Sequence, residues 1–344
     1  MTRAAEFIAE LIRTTSRGLA GLSTARLFEK IESSDTRYGE SGFDSWRKAL
    51  SARLEALASA LEADDVKLFA DDMVWFRAVI TSRDVEAGDV DVALESMRET
   101  LTAQLPGTGD TSIERFFDAA AKALAQPAAL STGLREGSRA LALFDLALLG
   151  DLASARNYLL EGVKSGTFSL NEAVIEILLP AAREAGRRWH VGEMGVAAEH
   201  VITATLRSAL HGLTAALPAV ARNGKAVLVA AVPGDAHDTG LVAFALLLEQ
   251  DGWRVALAGA DTPADEIDAT AAAYECDVIA VSATLVAQRY ALTSYLGSRD
   301  SSIPVLVGGA ALRSEDDAMK LGADGFASDL INGVQSARAL VGLS

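Results

Sequence analysis

The sequence contains a single cysteine, Cys276, and four histidines, the first of them at position 190. One cysteine excludes an internal disulfide framework and a cysteine-rich structural zinc site, and it fits a reducing compartment, so a cytoplasmic protein is expected. Cationic residues are scarce too: 31 Lys and Arg stand against 47 Asp and Glu, a formal charge of -16. The deficit is spread along the chain, with 15 basic against 22 acidic residues up to residue 130 and 16 against 25 beyond it. A phosphate backbone is bound by clustered Lys and Arg, so no direct contact with nucleic acid is expected. No apolar run approaches the roughly 18 residues that mark a membrane helix. Met1-Thr2-Arg3 leads into an acidic amphipathic segment instead of the apolar core of a signal peptide. Neither secretion nor membrane insertion is expected.

What is present is apolar and patterned. Half of the 344 residues are hydrophobic, enough for two or three domains at about 100–200 residues each. From Ala4 to about Ala125 apolar residues recur at threes and fours, as in Leu50, Leu54, Leu57 and Leu61, followed by Leu68, Val74, Trp75 and Ile80. Breaks near Ser33-Ser34-Asp35, Asp64-Asp65 and Pro106-Gly107-Thr108-Gly109 divide this stretch, residues 1–130, into about six helices. A linker is expected from Gln126-Pro127 to Gly137. A second helical block, residues 139–217, reads as a four-helix bundle: Leu141 to Leu149, Leu152 to Ser165, Ser169 to Arg188 and Gly195 to Leu217. Asp151 and Ser169 are its expected N-caps.

After Asn223-Gly224 the period changes. Lys225 to Val232, Arg254 to Ala258, Asp277 to Ala283, Pro304 to Val307 and Gly325 to Ala327 are short apolar runs that alternate with helical segments beginning near Asp238, Pro263, Gln288, Ser314 and Leu330. Continuous apolar strands separated by helices predict a Rossmann-like parallel sheet over residues 224–344. The fold class expected is therefore α and α/β. Ligands of such sheets bind beyond the carboxyl ends of the strands.

The first strand runs into Pro233-Gly234-Asp235-Ala236-His237-Asp238-Thr239-Gly240, an Asp-x-His-x-x-Gly motif; 41 residues separate Gly240 from Ser282 at the third strand end, and Gly308-Gly309 closes the fourth. The first turn has no Gly-x-Gly-x-x-Gly, which argues against a dinucleotide. The three elements together resemble the cobalamin-binding domain of methionine synthase, the B12-dependent mutases and corrinoid carrier proteins. The resemblance implies that His237 is the lower axial cobalt ligand, that Asp235 orients it, and that the displaced nucleotide tail inserts beside Gly240, Ser282, Thr284, Gly308 and Gly309. A carboxylate on the far ring nitrogen would fix the tautomer and raise ligand basicity. The family's Ser-x-Leu reads Ser282-Ala283-Thr284 here, with Leu285 one place late.

In the bundle, Trp189 is followed after nine residues by Glu199-His200, and His190 adjoins the Trp. This Trp-x9-Glu-His arrangement is similar to that of the adenosylcobalamin-dependent light-sensing repressors, a resemblance that covers about residues 140–340. It implies that Trp189 covers the adenosyl group, that Glu199 and His200 line its pocket, and that His190 takes the vacated upper position after photolysis. His211, nearly three turns beyond His200, reads as an ordinary helix histidine. The repressors carry a basic DNA-binding domain at the position where this chain has an acidic helical one. The layout resembles instead the photocobilins, in which a globin-like domain holding biliverdin precedes the cobalamin unit. With no His and no Cys in residues 1–130, such a bilin would be held noncovalently, and Trp46, Arg47, Trp75, Phe76 and Arg77 have suitable chemistry.

These readings lead to a non-enzymatic light sensor that is expected to form light-dependent homo-oligomers, such as dimers, and to act on an unidentified effector. The alternative is a corrinoid carrier that passes a methyl group between enzymes and needs an open upper face. A mutase would require a substrate barrel that these residues do not encode.

Overall fold

Helices form where the sequence shows period 3.6. A computed structural model describes residues 3–32, 34–105, 111–126 and 133–343. Ser33, the expected break at 106–109 and half of the expected linker, 127–132, lie outside the described residues. The chain divides into two compact units, Met1–Leu130 and Ser131–Ser344.

The first unit consists of α1 (Arg3–Lys30), α2 (Ser34–Tyr38), α3 (Gly42–Ala63), α4 (Val66–Thr81), α5 (Ala87–Gln104) and α6 (Thr111–Leu124). Helix α1 packs on α3 and α5, and α4 packs on α6. The apolar spacing read in α3 points inward, since Leu50, Leu54 and Leu57 are fully buried. Adjacent aspartates make the α3–α4 break with two different devices. Asp64 adopts a left-handed backbone, φ 53°, and returns its N–H to Ala60 and Leu61, while the Asp65 side chain caps α4 by accepting from Lys67 N.

The second unit begins with α7 (Arg139–Leu148) and α8 (Leu152–Lys164), followed by a π-helical stretch (Glu172–Leu178) that runs directly into α9 (Leu179–His190), and then α10 (Val196–Ala216). Asp151 caps α8 as expected, by accepting from Ser154 N. Ser169 and Glu172 form a reciprocal capping box: Ser169 Oγ accepts from Glu172 N at 3.2 Å, and Glu172 Oε2 from Ser169 N at 2.7 Å. The π stretch was not expected. Pro180 lacks an N–H and crowds the carbonyl four residues back, and a widened turn immediately before it accommodates both effects. Within that turn Leu179 N donates to Val174 O, five residues back.

Five strands, β1 (Ala226–Ala231), β2 (Arg254–Gly259), β3 (Val278–Ser282), β4 (Val305–Gly308) and β5 (Gly325–Ala327), form a parallel sheet in the order β2-β1-β3-β4-β5. Helices α12 (Ala264–Ala273), α13 (Arg289–Ser298) and α14 (Glu315–Lys320) cover one face, and α11 (Thr239–Gln250) and α15 (Leu330–Leu340) the other. Helix α11 is buried without interruption from Leu241 to Leu248. It has no polar face because it serves two cores: Leu241, Phe244 and Leu248 pack on the sheet, while Val242, Ala243, Leu246 and Leu247 pack into the bundle. At about 1.5–3 kcal/mol for each large apolar side chain buried, this shared helix joins bundle and sheet into a single unit. Among the described residues no helix is long and apolar enough to cross a membrane.

Candidate functional site

Strand order 2-1-3-4-5 reverses direction between β1 and β3, and ligands of such sheets bind outside the carboxyl ends at that reversal. The sequence places His237 there, on the loop leaving β1. Asp235 is fully buried beneath it. Asp235 Oδ1 accepts from His237 N at 3.0 Å and faces His237 Nδ1 at 2.8 Å, and Oδ2 accepts from Thr284 N at 2.8 Å. One carboxylate therefore ties the β1 loop to the β3 loop. Burial pushes the Asp235 carboxyl up, but the hydrogen bonds from His237 and Thr284 outweigh it and hold the group below its ordinary value. An ionised Asp235 makes Nδ1 the protonated nitrogen, which leaves Nε2 with the lone pair, and the ring is 54% exposed. The hydrogen bond to Asp235 raises the imidazole pKa. Burial opposes the rise, and the charges of Asp235, Glu199 and Asp238 add to it.

The loop is braced by residues that carry no motif. Gln288, buried, donates from Nε2 to Gly234 O and accepts at Oε1 from Thr284 N and Leu285 N. Asp261 accepts from Gly234 N at 2.7 Å and returns its own N–H to Asp235 O at 2.9 Å. Nothing in the sequence singled these residues out. Thr284 takes part through its backbone, which explains how the motif tolerates its departure from Ser-x-Leu at this position.

Beyond the strand ends lies a cleft of about 500 Å³. Its lining joins His237 and Gly240 with Ser282, Thr284, Gly308 and Gly309, together with Phe244 of α11, Phe326 and Leu330 beyond β4, and Ile175, Leu179 and Arg183 from the bundle. The Ser282 hydroxyl is buried with no hydrogen-bond partner, so it is an unmet polar demand beside the cleft. Gly240 has no atom within 4 Å of where a Cβ would sit, and at Gly308 the nearest contact is an ordinary 3.4 Å to Ala327. Gly309 needs a correction: it does more than leave space. Its φ is +100°, and a Cβ there would lie 2.2 Å from Ala283 O, so glycine is required by the backbone itself.

These features fit cobalamin. A lone exposed imidazole nitrogen, an unpaired buried hydroxyl and a largely apolar cleft with open ground at Gly240 suit an axial ligand and a nucleotide tail. Among the described residues no group of three or more His, Cys, Asp or Glu side chains forms a metal site. A single imidazole suits a metal that arrives with its other ligands in place.

The bundle residues lie apart from the cleft lining. Trp189 and His190 end α9, both half-buried. Glu199, in the first turn of α10, accepts from Thr203 Oγ1 at 2.6 Å, and exposed His200 lies 3.8 Å from it. Of these, Glu199 is close enough for its charge to act on His237. Farther along α10, Arg207 pairs with Asp238 at 2.8 Å, which ties the bundle to the residue next to His237. A buried carboxylate, Glu184, grips both Arg187 and Arg188 at 2.8 Å, and Arg187 also holds Glu193 beyond the helix end. This clasp fixes the segment that carries Trp189 and was not anticipated.

In the first unit the five residues singled out serve packing and structure. Trp46 and Phe76 are buried edge to face, 6.1 Å apart, and Arg53 lies over the rings of Trp75 and Phe76. Arg47 pairs with Asp44, and Arg77 donates to the carbonyls of Leu124 and Gln126 at the end of α6.

Comparison with known proteins agrees with this geometry. Residues 225–331 match the B12 binding domain family, and residues 141–213 match a second family of the same description. The HTH-type transcriptional repressor CarH of Myxococcus xanthus is 36% identical over 149 residues, 42% of this chain and 48% of the relative. The repressor CarA of the same organism is 36% identical over 140 residues, 40% and 46% of the two chains. The chain thus spans about half the length of the curated relatives it matches. The monomethylamine corrinoid protein of Methanosarcina barkeri shares the fold, with a TM-score of 0.51 at 17% identity over 58% of this chain and 96% of that one. Both B12 binding domain matches fall within the second unit.

Proposed function

We propose that the protein is a light-responsive regulator that binds adenosylcobalamin with His237 as the lower axial ligand and the helical bundle over the upper face. The cofactor supplies a cobalt–carbon bond that visible light breaks. In this reading Asp235 holds the His237 tautomer, Ser282 and Gly308 receive the nucleotide tail, and Trp189, Glu199 and His200 stand around the upper substituent. His190, adjoining Trp189, is the candidate ligand for the upper position once it is vacated. The observation that carries the reading is the tie of α10 to the ligand loop: Arg207 holds Asp238, the residue after His237, at 2.8 Å. A ligand shifts a two-state element only through contacts that differ between the states, and a helix tied to the ligand loop transmits such a difference. The output is a change in self-association or in binding to an effector, without contact to nucleic acid.

For a second chromophore the reading extends to biliverdin, held noncovalently by the first unit. Trp46 and Phe76 are committed to the core there, Arg47 pairs with Asp44, and Arg77 donates to carbonyls at the end of α6. The rival, a methyl-carrying corrinoid protein, has in its favour the fold shared with the Methanosarcina barkeri protein. Reconstitution in the dark with adenosylcobalamin and with methylcobalamin, followed by illumination, separates the two. A light-dependent change in absorption and in hydrodynamic size with the adenosyl form is expected. Methyl transfer indifferent to light, with no change in size, would contradict the regulator.

A further inference from the structure

We infer that Arg183 is the anion-reading residue of the cleft and takes the phosphodiester of the cofactor's nucleotide tail, so that the bundle senses the tail as well as the ring. This rests on the cobalamin reading above. Among the described residues, three ionisable side chains line the cleft: His237, Asp329 and Arg183. His237 is held by Asp235 at 2.8 Å. Asp329 is committed to the start of α15, where its Oδ1 accepts from Asn332 N at 2.8 Å. Arg183 is different. Among the described residues it makes no hydrogen bond, ion pair or ring contact, although it precedes Glu184 in sequence. Both oxygens of Glu184 are taken by Arg187 and Arg188.

Its placement is specific. Ile175, Leu179 and Arg183 recur at intervals of four on the π stretch and α9, and all three line the cleft. One helix face thus offers two part-buried apolar side chains and then, exposed at the rim of the cleft, a cation with no partner among the described residues. The periphery of a corrin ring carries neutral carboxamides, and its one anionic group near neutral pH is the tail phosphodiester. A guanidinium fork matches such a group in charge and in geometry. Asp329, with the opposite sign, disfavours an anion beside it.

The test compares adenosylcobalamin with adenosylcobinamide, which lacks the nucleotide tail, by calorimetric titration in the dark against the full chain. Arg183→Gln is expected to weaken adenosylcobalamin about tenfold, the scale of one lost charged hydrogen bond, and to leave adenosylcobinamide unchanged. Arg183→Lys should recover part of the loss, and added salt should weaken the wild type more than Arg183→Gln. Equal losses with both ligands, or none with either, would overturn the assignment. A wild type that binds neither ligand would overturn the cobalamin reading itself, a distinct outcome.

Discussion

In the first unit polar side chains find one another. Arg13 forks onto Glu62 at 2.8 Å, Arg37 and Tyr38 share Asp89, and Arg53 lies 2.6 Å from Asp72 in an ion contact not aligned as a hydrogen bond. Around the cleft of the second unit the Ser282 hydroxyl is buried without a partner, exposed Arg183 on α9 has no partner among the described residues, and His237 uses one ring nitrogen. The first unit also has unpaired hydroxyls, on Ser23, Ser59 and Ser96, but they belong to α1, α3 and α5 and none lines the cleft. A structural network closes on itself, whereas a binding site leaves demands open around a space. Unpaired groups that converge on one cavity therefore carry more functional information than the same groups scattered through helix interfaces.

The comparison can be broken from either side. Trp46→Ala removes a buried ring from the first unit and should cost it about 3–5 kcal/mol. Calorimetry should show that loss while cobalamin affinity stays at the wild-type value; a parallel fall in affinity would mean that the first unit is part of the site. In the second unit, Gly309→Ala places a Cβ against the Ala283 backbone at a positive φ, and a destabilisation of about 2–4 kcal/mol is expected. Chemical denaturation would detect it, and a variant as stable as wild type would show that the strand-end backbone is looser than described.

A pH-dependent effect separates charge from shape within the bundle. The hydrogen bond to Arg187 pulls Glu184 down, burial opposes this and Arg188 assists, for a net value of about 2 against the model-compound 4.5. The folded pKa is depressed, so the stabilisation is complete above about 4.5 and is lost as pH falls toward about 2. Glu184→Gln should lower stability at neutral pH by on the order of 3 kcal/mol, with the difference from wild type shrinking across that window. An unchanged difference at low pH would show that Glu184 acts by shape and not by charge.

Much of this was legible in the sequence because the relevant signals are local. The strands lie within a residue or two of the apolar runs, and Asp151 and Ser169 cap their helices, since period and capping chemistry depend on near neighbours. Asp235 and His237 stand two residues apart, so their hydrogen bond could be anticipated. What escaped depends on distant chain. Gln288 braces a loop more than fifty residues earlier in sequence, Asp235 is held by the backbone of Thr284, and Gly309 is glycine because Ala283 is there. Arg183 carried no motif and is distinguished only by what Glu184 does with its other neighbours. Pro180 was the one visible sign of the π stretch. Trp46 and Phe76 were chosen for their chemistry, and only the fold reveals that they face the core.

The central claim is that a protein nitrogen, that of His237, binds cobalt from below. The direct measurement is electron paramagnetic resonance of the cobalt(II) form of the bound cofactor, comparing protein made with ordinary histidine, with nitrogen-15 histidine, and with His237→Ala. If His237 ligates cobalt, nitrogen-15 converts the superhyperfine triplet to a doublet in the wild type, and His237→Ala loses the histidine splitting. A triplet that survives the labelling, or a histidine splitting that persists in His237→Ala, would contradict it.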